Sequence, residues 1–161
     1  MSSRGLGVAL LGRLIVIVFA VMVASLATGV AIAIGVLGPQ WHGMSGDVGE
    51  RVVFWGTAFI GATATGAIGL LPLAVLIALA ESFKIRSLAV NAAAGAAMLL
   101  LGYYGSGLAP PSYEESIDHQ PSPISREAEI VAASGAVFGL FYWLIAGRNA
   151  GRWRERGNLS S

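Results

Sequence analysis

The stretch 78–89, ALAESFKIRSLA, sets Glu81, Lys84 and Arg86 between two long runs, 52–80 and 87–109, that carry no charge at all. If one helix ran through both, these three groups would lie near the middle of a lipid bilayer, at a cost of about 3 kcal/mol each on insertion scales. The stretch is therefore read as a tight turn between two membrane spans. Glu81 and Lys84, three residues apart, can pair if the turn is helical, but an exposed pair contributes little.

Two further uncharged runs, 14–37 and 130–147, flank this pair. At about 1.5 Å per residue the four runs reach about 36, 43, 34 and 27 Å in chain order, against a hydrocarbon core near 30 Å, so each can cross as a helix. The last borrows length from Ala128 on one side and from the snorkelling stem of Arg148 on the other, giving a fourth span over 128–148. Composition agrees: of 161 residues, 55% are hydrophobic and only 12% charged, about half the usual charged share. The expected fold is all-α, an up-down bundle of four transmembrane helices forming one membrane domain over 1–161. The basic start and the apolar run after it resemble a secretory signal, but 24 uncharged residues from Leu14 to Leu37 exceed a signal's apolar core. That run is expected to remain as the first span.

Orientation follows from the cations. With four crossings both termini share a side with the 81–87 turn, and that side holds Arg4, Arg13, Lys84, Arg86, Arg148, Arg152, Arg154 and Arg156. The other side has Arg51 and Arg126. Such a bias predicts that both termini are cytoplasmic. The acidic residues are mostly on the outer side: Asp47, Glu50, Glu114, Glu115, Asp118, Glu127 and Glu129. Trp41, Trp55, Tyr103 and Tyr104 are expected at the outer interface, and Tyr142, Trp143 and Trp153 at the inner one. The loop 109–125, with four of the six prolines, is expected to be mobile. Ser125, followed by Glu127 and Glu129, reads as the N-cap of the fourth span.

Small residues are the most informative pattern. Thr57, Gly61, Thr65 and Gly69 recur every four residues in the second span, Ser87, Asn91 and Gly95 in the third, and Gly135 and Gly139 form a GxxxG in the fourth. Ser25 and Gly29, with Ala24 and Thr28 alongside, offer the first span a similar face. Such faces let helix backbones approach closely, within the bundle or against another membrane protein. Pro72 leaves the carbonyl of Ile68 without its helical donor and is expected to kink the second span. Asn91 carries the one full amide inside the apolar runs, and a hydrogen bond to a neighbouring helix is expected of it. Arg148, Arg152 and Arg156, spaced by four with Trp153 beside them, fit a helical continuation of the fourth span lying on anionic lipid headgroups.

Exclusions bound the function. Without cysteine there is no disulfide, thiolate nucleophile or thiolate metal site. No ionisable side chain falls centrally in any run, whereas proton-coupled carriers and intramembrane proteases rely on one. His42 and His119 lie in outer loops near Asp47, Glu50 and Asp118, without the close spacing of a metal site. The PPSY at 110–113 matches a short proline ligand, but on an outward loop it carries no weight. Ser134 and Thr65 have no base within reach and read as packing residues.

Two segments, LPLAVLIALAESFKIRSLAVNAAAG (71–95) and GLFYWLIAGRNAGRW (139–153), resemble small four-span bacterial inner-membrane proteins to which no activity is assigned. The resemblance implies a bacterial inner membrane and brings no site residues. The residues themselves lead to an expectation of a non-enzymatic accessory or scaffold subunit, without cofactor or metal. Its partners would be the lipid bilayer and the helices of other membrane proteins or of further copies, and not nucleic acid. The alternative is a small oligomeric carrier or channel with Thr63, Thr65, Pro72 and Asn91 along its path.

Overall fold

A computed structural model describes the chain over residues 3–38, 46–82, 86–107 and 125–149, with side-chain placement at 7, 10–38, 46–67, 75, 86–107 and 125–148. Four α-helices make up these residues: α1 (Ser3–Leu37), α2 (Val48–Ser82), α3 (Leu88–Gly105) and α4 (Arg126–Ile145), followed by a short 3-10 turn at Gly147–Asn149. Among the described residues, three stretches are long and apolar enough to cross a membrane: Leu10–Leu37 in α1, Leu88–Gly105 in α3, and Arg126–Ile145 in α4.

Local chemistry sets the helix ends. Gly38, with φ 90°, closes α1 and donates its N–H to Ile34 O at 3.0 Å. Asp47 opens α2 by accepting from the Glu50 N–H at 2.8 Å. Arg86 and Ser87 are not helical and α3 starts at Leu88, so the helix does break in the charged stretch; Ser87 is the N-cap of α3 and Arg86 is exposed. α3 ends at Gly105, four residues before the expected boundary at 109, where Gly107 takes φ 70° and donates its N–H to Tyr104 O, three residues back and not four. Ser125 caps α4 as expected, accepting from the Ala128 N–H at 3.2 Å.

One expectation, a helical continuation of α4 through Arg148, is corrected at the ends. α1 runs from Ser3, so Arg13, which flanks the uncharged run 14–37, is itself helical. α4 ends at Ile145, and Arg148 sits in the 3-10 turn, so no continuous helix runs from α4 through Arg148. Arg152, Trp153 and Arg156 lie outside the described residues, as does most of the loop 109–125.

Among the described residues the helices pack antiparallel in the order α2, α1, α4, α3, with little contact between α2 and α3. Close approach of backbones explains this order. A Cβ on Gly95 would strike the Gly135 carbonyl and stand 2.9 Å from Gly139 N, and one on Gly139 would strike the Asn91 carbonyl. On the other side of the fold, a Cβ on Gly29 of α1 would strike the Ala58 carbonyl of α2 and lie 2.9 Å from Ala62 Cβ. Between the two seams, Ala20 and Ala24 of α1 pack with Met98, Phe138, Tyr142 and Ala146.

The distribution of size is the reverse of that in a water-soluble protein. Among the described residues, seven of the eleven buried hydrophobic ones are alanines, whereas Leu11 is 60% exposed, Phe59 70% and Leu101 73%. In water, exposing such side chains costs about 25 cal/mol per Å2. In lipid, whose tails are as apolar as leucine, nothing is gained by burying them, and small residues that admit close packing take the interior.

These contacts predict a sharp contrast between glycines. Gly139→Ala should lower stability by about 2 kcal/mol, because the clash is with backbone and cannot be relieved by a rotamer change. Gly56→Ala, which meets nothing within 4 Å, should be neutral or stabilising by up to about 1 kcal/mol. Denaturant titration of both variants in detergent micelles, followed by circular dichroism, checks the pair.

Candidate functional site

The packing residues singled out in the sequence divide between two seams. Gly61 faces α1, where a Cβ would stand 3.4 Å from Gly29 Cα and 3.3 Å from Ile32 Cδ1. One turn on, Thr65 is buried and its hydroxyl donates to Gly61 O at 2.8 Å. Asn91, Gly95, Gly135 and Gly139 form the α3–α4 seam. Gly69 and Pro72 fall within α2, but their surroundings, and any kink at Pro72, lie outside the described side chains. Ser87 does not join the packing face expected of it; it is exposed at the N-terminus of α3.

Asn91 is also corrected. Its amide is buried, but Nδ2 donates to Ser87 O of its own helix at 2.8 Å, not to a neighbouring helix. The side chain folds back one turn with its Oδ1 beside Gly147, while Gly139 packs against the Asn91 backbone. Thr28 satisfies itself in the same way, donating to Ala24 O at 2.8 Å. Among the described residues no buried side-chain polar atom lacks a partner.

The polar groups of the expected transport path do not converge. Thr63 is exposed and donates to Phe59 O, Thr65 is buried one helical face away, and Asn91 lies on α3, which α2 barely touches. The described residues include no cluster of three metal-ligating side chains. Asp47 is engaged as a helix cap, Ser134 is fully buried, and His42 and His119 lie outside the described residues.

A second constellation sits where α1 begins, α3 begins and α4 ends. Arg13 Nη2 donates to Ala146 O at 2.9 Å, so a cation from α1 satisfies a carbonyl left open at the C-terminus of α4. Trp143 Nε1 donates to Arg86 O at 2.7 Å and fastens the segment before α3 to the last turn of α4. Gly147 fits beside these groups, since a Cβ there would lie 3.2 Å from Trp143 Cδ1. Tyr142, expected at the interface, is instead buried in the core against Ala20 and Ala24. Its neighbour Trp143 is the residue that reaches the helix ends. The sequence signals for this cluster were Arg13 interrupting an apolar run and an indole one turn from the end of the last run; the pairing of the two ends required the tertiary fold.

Compared with protein-family models, curated proteins and solved structures, the chain matches none.

Loss of the two long-range bonds should be measurable. Arg13→Gln should cost about 1.5–3 kcal/mol, as for a charge-assisted hydrogen bond, and Trp143→Phe about 1 kcal/mol. Unfolding midpoints in detergent, with amide exchange at Ala146 to Arg148 as the local readout, test both values.

Proposed function

We propose that this chain is a non-enzymatic integral protein of the bacterial inner membrane, crossing four times with both termini in the cytoplasm and serving as an accessory or scaffold subunit. The observation that carries the membrane reading is the interior of alanine and glycine beneath a surface of leucine, isoleucine, valine and phenylalanine. The fourth crossing is assigned to α2, a 35-residue helix that contains the uncharged run 52–80. The orientation rests on the segregation of eight cations from two across the turns. Assignment to a bacterial inner membrane rests on the resemblance of 71–95 and 139–153.

Where a partner helix would dock follows from what is already occupied. Gly29, Gly61, Gly95, Gly135 and Gly139 are in contact with the chain's own helices, so a large residue at any of them should disturb the fold before it disturbs a complex. Gly56 and Gly66 of α2 meet nothing within 4 Å. The outer face of α2, which packs mainly on α1, is the side assigned to a partner helix or a second copy.

Isolation of the tagged chain from native membranes in mild detergent should bring down a larger membrane assembly or a self-associated form, and Gly56→Leu should release it while leaving helix content unchanged. A lone monomer, or solute flux across liposomes containing the purified chain, would count against the scaffold reading. For topology, a reporter fused after Ser161 should be active only in the cytoplasm and one inserted near Ser116 only outside.

A further inference from the structure

Among the arginines whose side chains are described, Arg13, Arg86 and Arg148 belong to the end where α3 starts and α4 stops, whereas Arg51 and Arg126 open α2 and α4 at the other end. Two hydrogen bonds tie the elements of this end together: Arg13 of α1 to Ala146 O at the end of α4, two residues before Arg148, and Trp143 of α4 to the backbone O of Arg86 before α3. Arg86 and Arg148 are both exposed.

We propose that this end binds the headgroup of an anionic phospholipid, with Arg86 and Arg148 as its cationic contacts and Trp143 as its interfacial flank. The inference rests on the membrane reading above. The electrostatics of the helix ends favour it. α3 presents its N-terminus here, the positive end of its dipole, directly after Arg86. α4 ends here too, and its C-terminus would repel an anion were Arg13 not bonded to its cap carbonyl. By sequence the same side carries Arg4, Lys84, Arg152, Arg154 and Arg156 against only Glu81 and Glu155. Exposed apolar residues adjoin the arginines: Leu88 and Val90 follow Arg86 on α3, and Leu144 precedes the end of α4. They give acyl chains a surface beside the headgroup, which favours a lipid over a soluble phosphate.

The test uses the full chain in mild detergent and native mass spectrometry with three probes: phosphatidylglycerol, phosphatidylcholine with the same acyl chains, and glycerol 1-phosphate. Phosphatidylglycerol should be retained at least tenfold better than phosphatidylcholine. An Arg86→Gln, Arg148→Gln double variant should bind it about 30-fold more weakly, from about 1 kcal/mol per cation and 1.4 kcal/mol per tenfold. Arg86→Lys with Arg148→Lys should hold it within about threefold of wild type, which separates charge loss from misfolding. Arg51→Gln with Arg126→Gln, at the opposite end, should change nothing. Arg13 is left intact because it also supports α4. Equal retention of the two lipids, or equal loss in both Gln pairs, would overturn the site, and displacement of the lipid by equimolar glycerol 1-phosphate would assign it to a soluble phosphate instead. Failure of the chain to remain with liposomes after an alkaline carbonate wash would remove the membrane reading itself, whereas firm insertion without headgroup preference would remove this inference alone.

Discussion

The fold depends on how closely two helix backbones can approach when no side chain stands between them. At the α3–α4 seam, Gly95 and Gly135 each lie against the other's carbonyl, and Gly139 lies against that of Asn91. Such an approach brings Cα–H groups toward facing carbonyls and extends van der Waals contact along both helices. The same device recurs where Gly29 meets Ala58 and Ala62. α1 is the hinge of the arrangement: its alanines at 20 and 24 face α4, and Gly29 and Ala33 face α2. The sparse contact between α2 and α3 among the described residues goes with this, because Gly61 of α2 faces α1 and Gly95 of α3 faces α4.

Close packing of this kind demands that the helix ends be settled independently, since the interior offers few polar groups to satisfy stray carbonyls or N–H groups. Asp47, Ser87 and Ser125 cap the starts of α2, α3 and α4, Gly38 turns the chain at the end of α1, and Gly107 lies just past the end of α3. α4 lacks a glycine of positive φ at its end and receives a cation instead, from a helix more than a hundred residues earlier in the chain. A guanidinium can do this at an interface because its stem lies along apolar surface while its head reaches polar atoms.

The helical class, the break at 81–87, the N-cap at Ser125 and the packing roles of Gly61, Gly95, Gly135 and Gly139 were all readable from the sequence, because each follows from a local pattern: an uncharged run, a charge cluster, a serine before acidic residues, a four-residue spacing. What escaped depended on pairings between distant segments. Arg13 read only as a flanking charge, and nothing local says that the end of α4 needs it. Asn91 looked like a bridge between helices, since the sequence does not say whether an amide turns to a neighbour or back to the carbonyl four residues earlier, as this one does. Tyr142 and Trp143 are adjacent aromatics, and composition cannot tell which one turns inward to the alanines of α1.

The depth of Arg13 also accounts for the unequal helix lengths. Gly35 of α1 lies against Ile130 near the start of α4, and Arg13 meets Ala146 at its end, so the segment of α1 between them matches the whole of α4. α4 has 20 residues, about 30 Å of rise, which is the thickness of a hydrocarbon core. α1 has 35 residues, about 52 Å, and with its other end fixed at Leu37 the excess falls before Arg13. There Arg13 meets the C-terminus of α4, whose dipole attracts a positive charge. One residue thus sets the register of α1 against α4, satisfies the end of α4 and marks the plane in which Arg86 and Arg148 are gathered.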